Sequence, residues 1–535
     1  MKTKLLLLSI LFLTFQLRAQ QEVYTSLAGI PKDAVKFKEK FYFTDANGVQ
    51  GIDLWESDGT ASNTRLVKKI FEGTEDAVSG IGLKESAAIL KDKLYFIAQD
   101  ADSKGEIWRT DGTSDGTEKV TNFINGRAVR LTTVGDFIYF IITGEIDNQE
   151  VWKTDGSSVG TSLIKSITGS NWIPSFQGKC NNVFVFTLAY QPEGAKVWRS
   201  DGTLQGTFVL TEGLYGDGAG NSLIGNAYSG GTYFLSQYFE FNNKLYFSSA
   251  NFLHETDGTL ENTKIIANTG TNQNSVKYSD IIEKDNNLYL EFYSNETNSL
   301  KICKYDILNK TFTEIYRNNT SQAFSPFVLA KTDDSLLFGA SNLNGGTSIM
   351  SLKFADNTVN EIKQILEVTE LEQPLWYLGN GINYILKINK DEYFIAAARE
   401  KGTYTRGKGW ILNTALNKLD NIKVLDKIFE PFVFNDILYY RKAAQLLKYS
   451  NNLGTDTIEF LPTINLYPNP SSDYISVTTI NNLPVENILV FDLNGKLVIS
   501  KSNSNEINIT HLSQGTYFAK ISLDGKIINK KIIKN

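Results

Sequence analysis

Apolar positions along the chain come in short bursts separated by turn-forming residues, and the 3.6-residue stripe of an amphipathic helix is absent. The clearest burst is a triplet that follows one or two polar residues. Its first copies are Phe41-Tyr42-Phe43, Leu94-Tyr95-Phe96, Ile138-Tyr139-Phe140, Val183-Phe184-Val185 and Leu245-Tyr246-Phe247. Leu288-Tyr289-Leu290, Leu336-Leu337-Phe338, Glu392-Tyr393-Phe394 and Leu438-Tyr439-Tyr440 continue the series. Nine copies at intervals of 43 to 62 residues define nine units. Self-similarity of that period marks a repeat architecture.

The second unit reads as four short strands: Ala87 to Leu90, Lys93 to Gln99, Glu106 to Thr110 and Glu118 to Phe123. Four strands per 45 to 50 residues is the spacing of a β-propeller blade. One such sheet cannot bury both faces alone, so neighbouring units must stack. The expected fold class is all-β: a β-propeller of about eight or nine four-stranded blades, then a small C-terminal Ig-like β-sandwich. Nine blades exceed the usual range; either one unit closes the ring with a strand from each terminus, or an irregular unit is an insertion.

A ten-residue segment joins the third and fourth strands in the first five units. It begins at Trp55, Trp108, Trp152, Trp198 and His254, and each copy carries an Asp-Gly pair: Asp58-Gly59, Asp111-Gly112, Asp155-Gly156, Asp201-Gly202 and Asp257-Gly258. Asp at such a place accepts hydrogen bonds from amides two residues on, and the following Gly suits a positive φ. The second glycine position reads Asn63, Gly116, Gly160, Gly206, Asn262, a Gly/Asn choice that predicts a left-handed residue. The Trp side chains are expected to pack between units. Later units carry shorter hairpin signals, Tyr305 to Thr311, Phe354 to Thr358 and Tyr449 to Gly454.

This pattern resembles the bacterial tandem repeat written Glu-Leu-Trp-x-Ser-Asp-Gly-Thr-x-x-Gly-Thr, found in large exported proteins; the resemblance implies no defined activity. It is more loosely similar to the Asp-box of sialidases and sortilin-type propellers, where Trp follows the box and the boxes are structural turns. The repeated aspartates therefore read as fold residues rather than catalytic ones.

Composition narrows the chemistry. A net charge of -6, spread thinly along 535 residues, excludes a general nucleic-acid binder. Two histidines, His254 and His511, give a His-rich metal site or a Ser-His-Asp triad little to draw on. Cys180 and Cys303 lie in different units and read as buried thiols, with a disulfide as the alternative. Acid-rich loops at Asp45 to Gly48, Asp100 to Ser103 and Glu145 to Asn148 offer alternating oxygens for Ca²⁺, but lack a spaced bidentate Glu. Solvated turns are the plainer reading, and no cofactor is expected. Gly213 to Gly231 holds seven glycines without phosphate-loop context and reads as a surface loop.

Residues 1–20 have the layout of a secretory signal peptide: Lys2 and Lys4, an apolar run from Leu5 to Phe15, then Leu17-Arg-Ala19. No later run approaches the roughly 18 apolar residues of a membrane helix. Residues 21–462 hold the repeats. Residues 463–535 change character, with short strand patterns and hairpin turns at Asp492-Leu-Asn-Gly495 and Leu523-Asp-Gly525.

This last segment resembles the type A C-terminal sorting domain of the type IX (Por) secretion system. The matching residues are Tyr467-Pro468-Asn469-Pro470, Asp492-x-x-Gly495-Lys496, Ile509 and Leu512-Ser513 before Gly515-x-Tyr517, and the end containing Lys530 and Lys531. The resemblance implies periplasmic entry, recognition by the type IX machinery and export across the outer membrane to the medium or cell surface. It also implies removal of the tail and, in some cases, attachment to surface polysaccharide. A non-enzymatic propeller that binds a glycan or protein is the expected function. The alternative is a secreted glycoside hydrolase or lyase, whose two carboxylates would stand about 5–10 Å apart.

Overall fold

A computed structural model describes residues 19–25, 32–46, 52–70, 83–100, 103–123, 126–144, 148–169, 177–190, 194–214, 228–229, 232–233, 238–249, 252–268, 274–275, 281–294, 299–318, 329–341, 347–366, 382–397, 408–426, 428–442, 445–450, 464–479, 485–493, 495–523 and 526–535. They form two compact units: Gln20–Ser450 and one that contains residues 464–535. Among the described residues almost all regular structure is antiparallel strand, beside a four-residue α-helical turn, Leu83–Ser86, and two 3-10 turns, Ala61–Asn63 and Lys423–Leu425.

The first unit is a succession of sheets, numbered here in chain order. Sheet 1 spans 32–68, sheet 2 87–119, sheet 3 127–168, sheet 4 177–214 and sheet 5 238–268. Sheet 6 spans 274–318, sheet 7 330–366, sheet 8 382–421 and sheet 9 429–450. Each is a four-stranded meander except sheet 6, where two short pieces, Asn274–Ser275 and Ile282–Lys284, share the place of the first strand. Sheet 9 takes three strands from the end of the repeats and its fourth, Ala19–Thr25, from the other end of the chain. That strand hydrogen-bonds beside Gln445–Ser450.

The apolar triplets form the second strand of each sheet, and their alternation explains the packing. Side chains along a strand point to opposite faces in turn. Tyr42 packs with Leu94, Phe96 and Trp108 of sheet 2, whereas Phe41 and Phe43 pack with Phe434, Tyr439 and Leu446 of sheet 9. The same division recurs along the series: Tyr139 meets Phe184 and Phe186 of sheet 4, and Leu337 meets Ile382 and Tyr393 of sheet 8. Each sheet is thus an apolar layer between two others. All three residues of the triplet are buried in eight of the nine sheets, the exception being half-buried Val183 in sheet 4.

Two triplets sit one residue later than the polar-then-apolar pattern suggested. In sheet 4 Phe184-Val185-Phe186 lie opposite Ser200, Arg199 and Trp198, the register that Leu94-Tyr95-Phe96 keep with Thr110, Arg109 and Trp108. In sheet 8 the register falls on Tyr393-Phe394-Ile395, with Ile395 opposite Trp410. A one-residue slip exchanges the two faces of a strand. Here packing against both neighbours decided it, and a run apolar on both sides does not display its parity.

In the second unit, Ile464–Tyr467, Tyr474–Thr479 and Glu506–Asn508 form a three-stranded sheet. Leu497–Ser502, Val485–Phe491, Gly515–Leu523 and Lys526–Lys534 form a four-stranded one. Ile475, Val477 and Ile507 of the first share one core with Ile488, Val490, Ala519, Ile521 and Ile532 of the second.

Candidate functional site

The repeated Asp-Gly turn closes on itself. In sheet 2, Asp111 Oδ1 accepts the Thr113 amide at 2.9 Å and the Thr113 hydroxyl at 2.7 Å. Thr110 Oγ1 accepts the Gly112 amide at 2.9 Å and bonds to the Thr117 hydroxyl at 2.7 Å. Asp58, Asp155, Asp201 and Asp257 repeat the first pair of bonds with Thr60, Ser157, Thr203 and Thr259. The hydroxyl and amide of Thr113 hold the Asp111 carboxyl below the usual range, and those of Ser157 do the same for Asp155. Hydrogen bonding to the charged form has that effect. These carboxylates are spent on their own turns.

The two glycine positions have different causes. Gly59, Gly112, Gly156, Gly202 and Gly258 have φ between +88° and +100°. In four of them a Cβ would also meet a tyrosine hydroxyl of the preceding sheet: Tyr439 at 2.1 Å from Gly59, Tyr42 at 2.6 Å from Gly112, Tyr95 at 2.0 Å from Gly156 and Tyr139 at 2.6 Å from Gly202. At the second position the left-handed expectation fails, since none of Asn63, Gly116, Gly160, Gly206 or Asn262 has positive φ. The Asp carboxylate is the cause. A Cβ on Gly116 would stand 2.1 Å from Asp111 Oδ1. Where Asn replaces Gly, its side-chain amide donates to the other carboxylate oxygen, Asn63 to Asp58 and Asn262 to Asp257, both at 2.7 Å.

Cations tie each turn to the sheet before it. Lys448 Nζ donates to Gly59 O at 2.9 Å, Arg109 Nη1 to Gly156 O at 2.7 Å, Lys153 Nζ to Gly202 O at 2.9 Å and Arg199 Nη1 to Gly258 O at 2.9 Å. Three of these follow a repeat Trp directly, a regularity visible in the sequence but not singled out there. Sheet 1 has Glu56 at that place. It is fully buried and receives Tyr42 Oη at 2.9 Å, Lys40 Nζ at 2.7 Å and Arg65 Nε at 2.8 Å. Burial pushes its pKa up, but these three donors outweigh that and hold it low.

Trp108 and Trp198 are buried at 8% exposure, whereas Trp55 and Trp152 are half-buried. Trp55 and Trp198 stack on Phe43 and Phe186, and Trp152 Nε1 donates to Glu150 at 2.9 Å. His254 keeps the same stack, its ring parallel to Phe247 with centroids 4.9 Å apart. It is fully buried, and burial brings its pKa down to about 4. Cys180 and Cys303 are free buried thiols, and burial pushes both up to about 12.

Among the described residues no three His, Cys, Asp or Glu side chains converge as metal ligands. Of the acid-rich loops, residues 47–51, 101–102 and 145–147 lie outside the described residues. Asp45 is buried opposite Asp53, which takes Lys69 Nζ at 2.9 Å, and Asp100 takes Lys119 Nζ at 2.8 Å. Glu106, also buried, accepts Thr121 Oγ1 at 2.6 Å and the Phe123 amide at 2.7 Å. The glycine-rich stretch falls almost entirely outside the described residues.

In a meander, turns between strands 1–2 and 3–4 share one edge, and the other connections share the opposite edge. The first edge varies little, with turns of two to seven residues. Its 1–2 turns are two residues long in seven of the nine sheets, and its 3–4 turns seven residues long in sheets 1 to 5. Connections at the other edge run from two residues, between Asp100 and Ser103, to twenty-three, between Leu214 and Tyr238. The hydrogen-bonded device sits at one edge and the wider variation in length at the other.

In the tail, Asn469 clips the last strand: its Nδ2 donates to Lys531 O and its Oδ1 accepts the Ile533 amide, both at 2.8 Å. Ser471 extends the clip, its amide donating to Ile533 O at 3.0 Å and its carbonyl accepting the Asn535 amide at 3.0 Å. The segment around Tyr467-Pro468-Asn469-Pro470 therefore covers an edge that would present unpaired amides and carbonyls. Tyr467 itself, with Pro468 and Pro470, is exposed. Asp492 and Gly495 make the hairpin turn, the Asp492 carboxylate accepting the Lys496 amide at 2.9 Å and Gly495 taking φ +78°. Gly515 opens the third strand of the larger sheet, and Tyr517 is buried with its hydroxyl donating to Ser513 O at 2.8 Å. Lys530 is half-buried and Lys531 exposed.

Residues 465–535 match the model of the secretion system C-terminal sorting domain. This type IX domain marks the chain for export across the outer membrane to the cell surface or the medium. No curated protein matches the chain. Among solved structures, it is similar to a Mycobacterium tuberculosis puromycin-hydrolysing peptidase at 7% identity and TM-score 0.36, covering 71% of this chain and 60% of that one. It thus spans about three-fifths of the length of that structure. BamB from Moraxella catarrhalis aligns at 10% identity and TM-score 0.35, covering 81% and 97% of the two chains. The extracellular domain of a hybrid two-component system from B. thetaiotaomicron aligns at 13% and 0.31, covering 95% and 74%. No helix among the described residues is long and apolar enough to cross a membrane.

Proposed function

We propose that the chain is an exported, non-enzymatic β-propeller of nine four-stranded blades that binds a glycan or protein partner. The leader would be cut near Ala19 or Gln20, where the strand that completes sheet 9 begins. Ring closure is supported by that strand and by Phe41, whose ring lies 5.1 Å from Phe432, 5.2 Å from Phe434 and 5.1 Å from Tyr439. The tail would be an Ig-like sandwich read by the type IX machinery, and the cargo would be released or attached to surface polysaccharide.

The observation that carries the binding reading is the contrast between the two edges. Short, internally bonded turns serve the scaffold, whereas connections of unequal length on a rigid frame are where recognition usually resides. Function then resides in those connections rather than in the repeat.

The test uses the full chain without its leader, applied to a glycan array and to surface proteins of cells it meets. Saturable binding that survives replacement of the Asp-Gly turns but is lost when the long connections are shortened is the expected result. Absence of any glycan or protein ligand would count against the reading.

A further inference from the structure

The larger sheet of the tail has an inner and an outer face, set by strand alternation. Tyr517, Ala519 and Ile521 point into the core, as do Ile488, Val490 and Ile532. Their neighbours Phe518, Lys520, Phe491 and Lys531 therefore point outward. The register places four of these outward positions in one row across all four strands: Leu497 opposite Phe491, Phe491 opposite Phe518, and Phe518 opposite Lys531. Directly opposed residues on one face touch. Leu497 and Phe518 are each 47% exposed, and Leu493, in the turn that leads into the row, is 70% exposed. Lys520 Nζ lies 5.8 Å over the Phe491 ring, and Lys496, Lys520 and Lys531 are all exposed.

We propose that this outer face is the surface by which the secretion machinery reads the tail, and that its receptor is a protein carrying an apolar groove rimmed by carboxylates. The proposal rests on residues 465–535 being the sorting domain. Charge supplies the complement. Residues 464–535 hold seven lysines against five acids, while the whole chain is at -6, so the tail is basic on an acidic cargo. Position supplies the link to sorting. The row is built on the turn of Asp492, Gly495 and Lys496, on the strand that starts at Gly515, and on Lys531, all among the residues by which the tail resembles its family. The Asn469 clip covers the edge of the last strand, which removes that edge, though not the one at Leu497–Ser502, from docking. Three lysines around a flush row fall short of the roughly four to eight clustered basic groups of lipid-binding segments, which favours a protein receptor.

The experiment expresses the full chain in a bacterium with a working type IX system and measures the exported and periplasmic fractions. Phe518→Ser with Leu497→Ser, and separately Lys520→Glu with Lys531→Glu, should lower the exported fraction at least about tenfold. The melting profile of the purified chains should stay unchanged. Tyr474→Ser, 47% exposed on the other sheet, should export normally. The charge-reversal pair keeps the test open if the apolar pair disturbs folding. Parental export of the charge-reversal pair together with that of a folded apolar pair, while deletion of residues 464–535 traps the protein, overturns the face and spares the sorting reading. Export of the deletion itself overturns both. Flotation of the full chain with phosphatidylglycerol vesicles, abolished by the lysine reversals, would overturn the protein receptor in favour of a lipid surface.

Discussion

Sheets 1 to 5 and sheets 6 to 8 reach the same meander with different turns at the same edge. The early turns span seven residues and carry Asp-Gly. The later ones are shorter: Ile307 to Lys310, Phe354 to Thr358 and Thr414 to Asn417. Both kinds contain or follow a side-chain oxygen that accepts amides two or three residues on. Asp306 takes the Leu308 and Asn309 amides at 3.0 and 2.9 Å, Asp356 the Thr358 amide at 2.9 Å, and Asn413 the Leu416 amide at 2.9 Å. The later turns place Lys310, Asn357 and Asn417 at positive φ where the early ones use glycine. What the early turns add is reach. Each receives a cation from the preceding sheet and four of the five meet a phenol there, whereas apolar packing between sheets is common to both halves, as where Phe354 in the sheet 7 turn lies 5.1 Å from Tyr289 of sheet 6. The Asp-Gly device refines an assembly that apolar burial creates.

The sharpest way to break this comparison is to remove packing from each half. Trp108 belongs to sheet 2 and stands opposite Phe96. Trp410 belongs to sheet 8, 5% exposed and opposite Ile395, with no Asp-Gly turn behind it. Trp108→Ala and Trp410→Ala should each lower stability by about 3–5 kcal/mol. Urea titration of the full chain, following the transition of the repeat unit, measures both. If Trp410→Ala costs only a small fraction of Trp108→Ala, the halves are not held by the same packing.

Trp410 also shows where sequence reading stopped. The repeat was legible because five copies share a polar signature that must keep its residue types to satisfy fixed hydrogen bonds. In sheet 8 only burial is conserved between units, and burial accepts many side chains, so Trp410 carried no mark. For the same reason the apolar pattern includes Val183 and Glu392 in triplets whose register starts one residue later. The phenol above four of the first glycines was out of view because the contact joins residues 61 to 70 apart in three cases, and 380 apart for Gly59 and Tyr439, in different sheets. The tail was legible as a family resemblance, yet the clip of Asn469 on Lys531 and Ile533 needs the register of the last strand.

A second prediction concerns the one early turn that departs from the pattern. His254 occupies a Trp position, 2% exposed, and burial lowers its pKa from 6.5 to about 4. The unfolded chain takes up this proton as pH falls below about 6.5, whereas the native one resists until about 4. Stability present in full above pH 6.5 is therefore lost progressively between 6.5 and 4, by about 2 kcal/mol at pH 5. His254→Trp, which restores the residue of the other copies, should remove this share of the acid sensitivity. Melting temperatures of both proteins at pH 7 and pH 5 decide it. An equal drop in the two would show that His254 stays unprotonated in both states or is charged in both.

The smallest effect tests why Gly and Asn alternate at the second position of the early turns. If a left-handed backbone were the reason, Gly116→Ala and Gly116→Asn would both meet a φ penalty, smaller for Asn. The observed φ values remove that reason and leave the carboxylate of Asp111, which a Cβ would approach to 2.1 Å. Alanine must displace that carboxylate and returns nothing, so Gly116→Ala should cost about 1–2 kcal/mol, the range of a disturbed hydrogen-bonded turn. Asparagine displaces it too, but then supplies the amide that Asn63 and Asn262 give to Asp58 and Asp257 at 2.7 Å. Gly116→Asn should therefore stay within about 0.5 kcal/mol of the parent. Removing the acceptor closes the argument: in an Asp111→Ala background the difference between the two substitutions should vanish, and a difference that persists there would return the cause to the backbone.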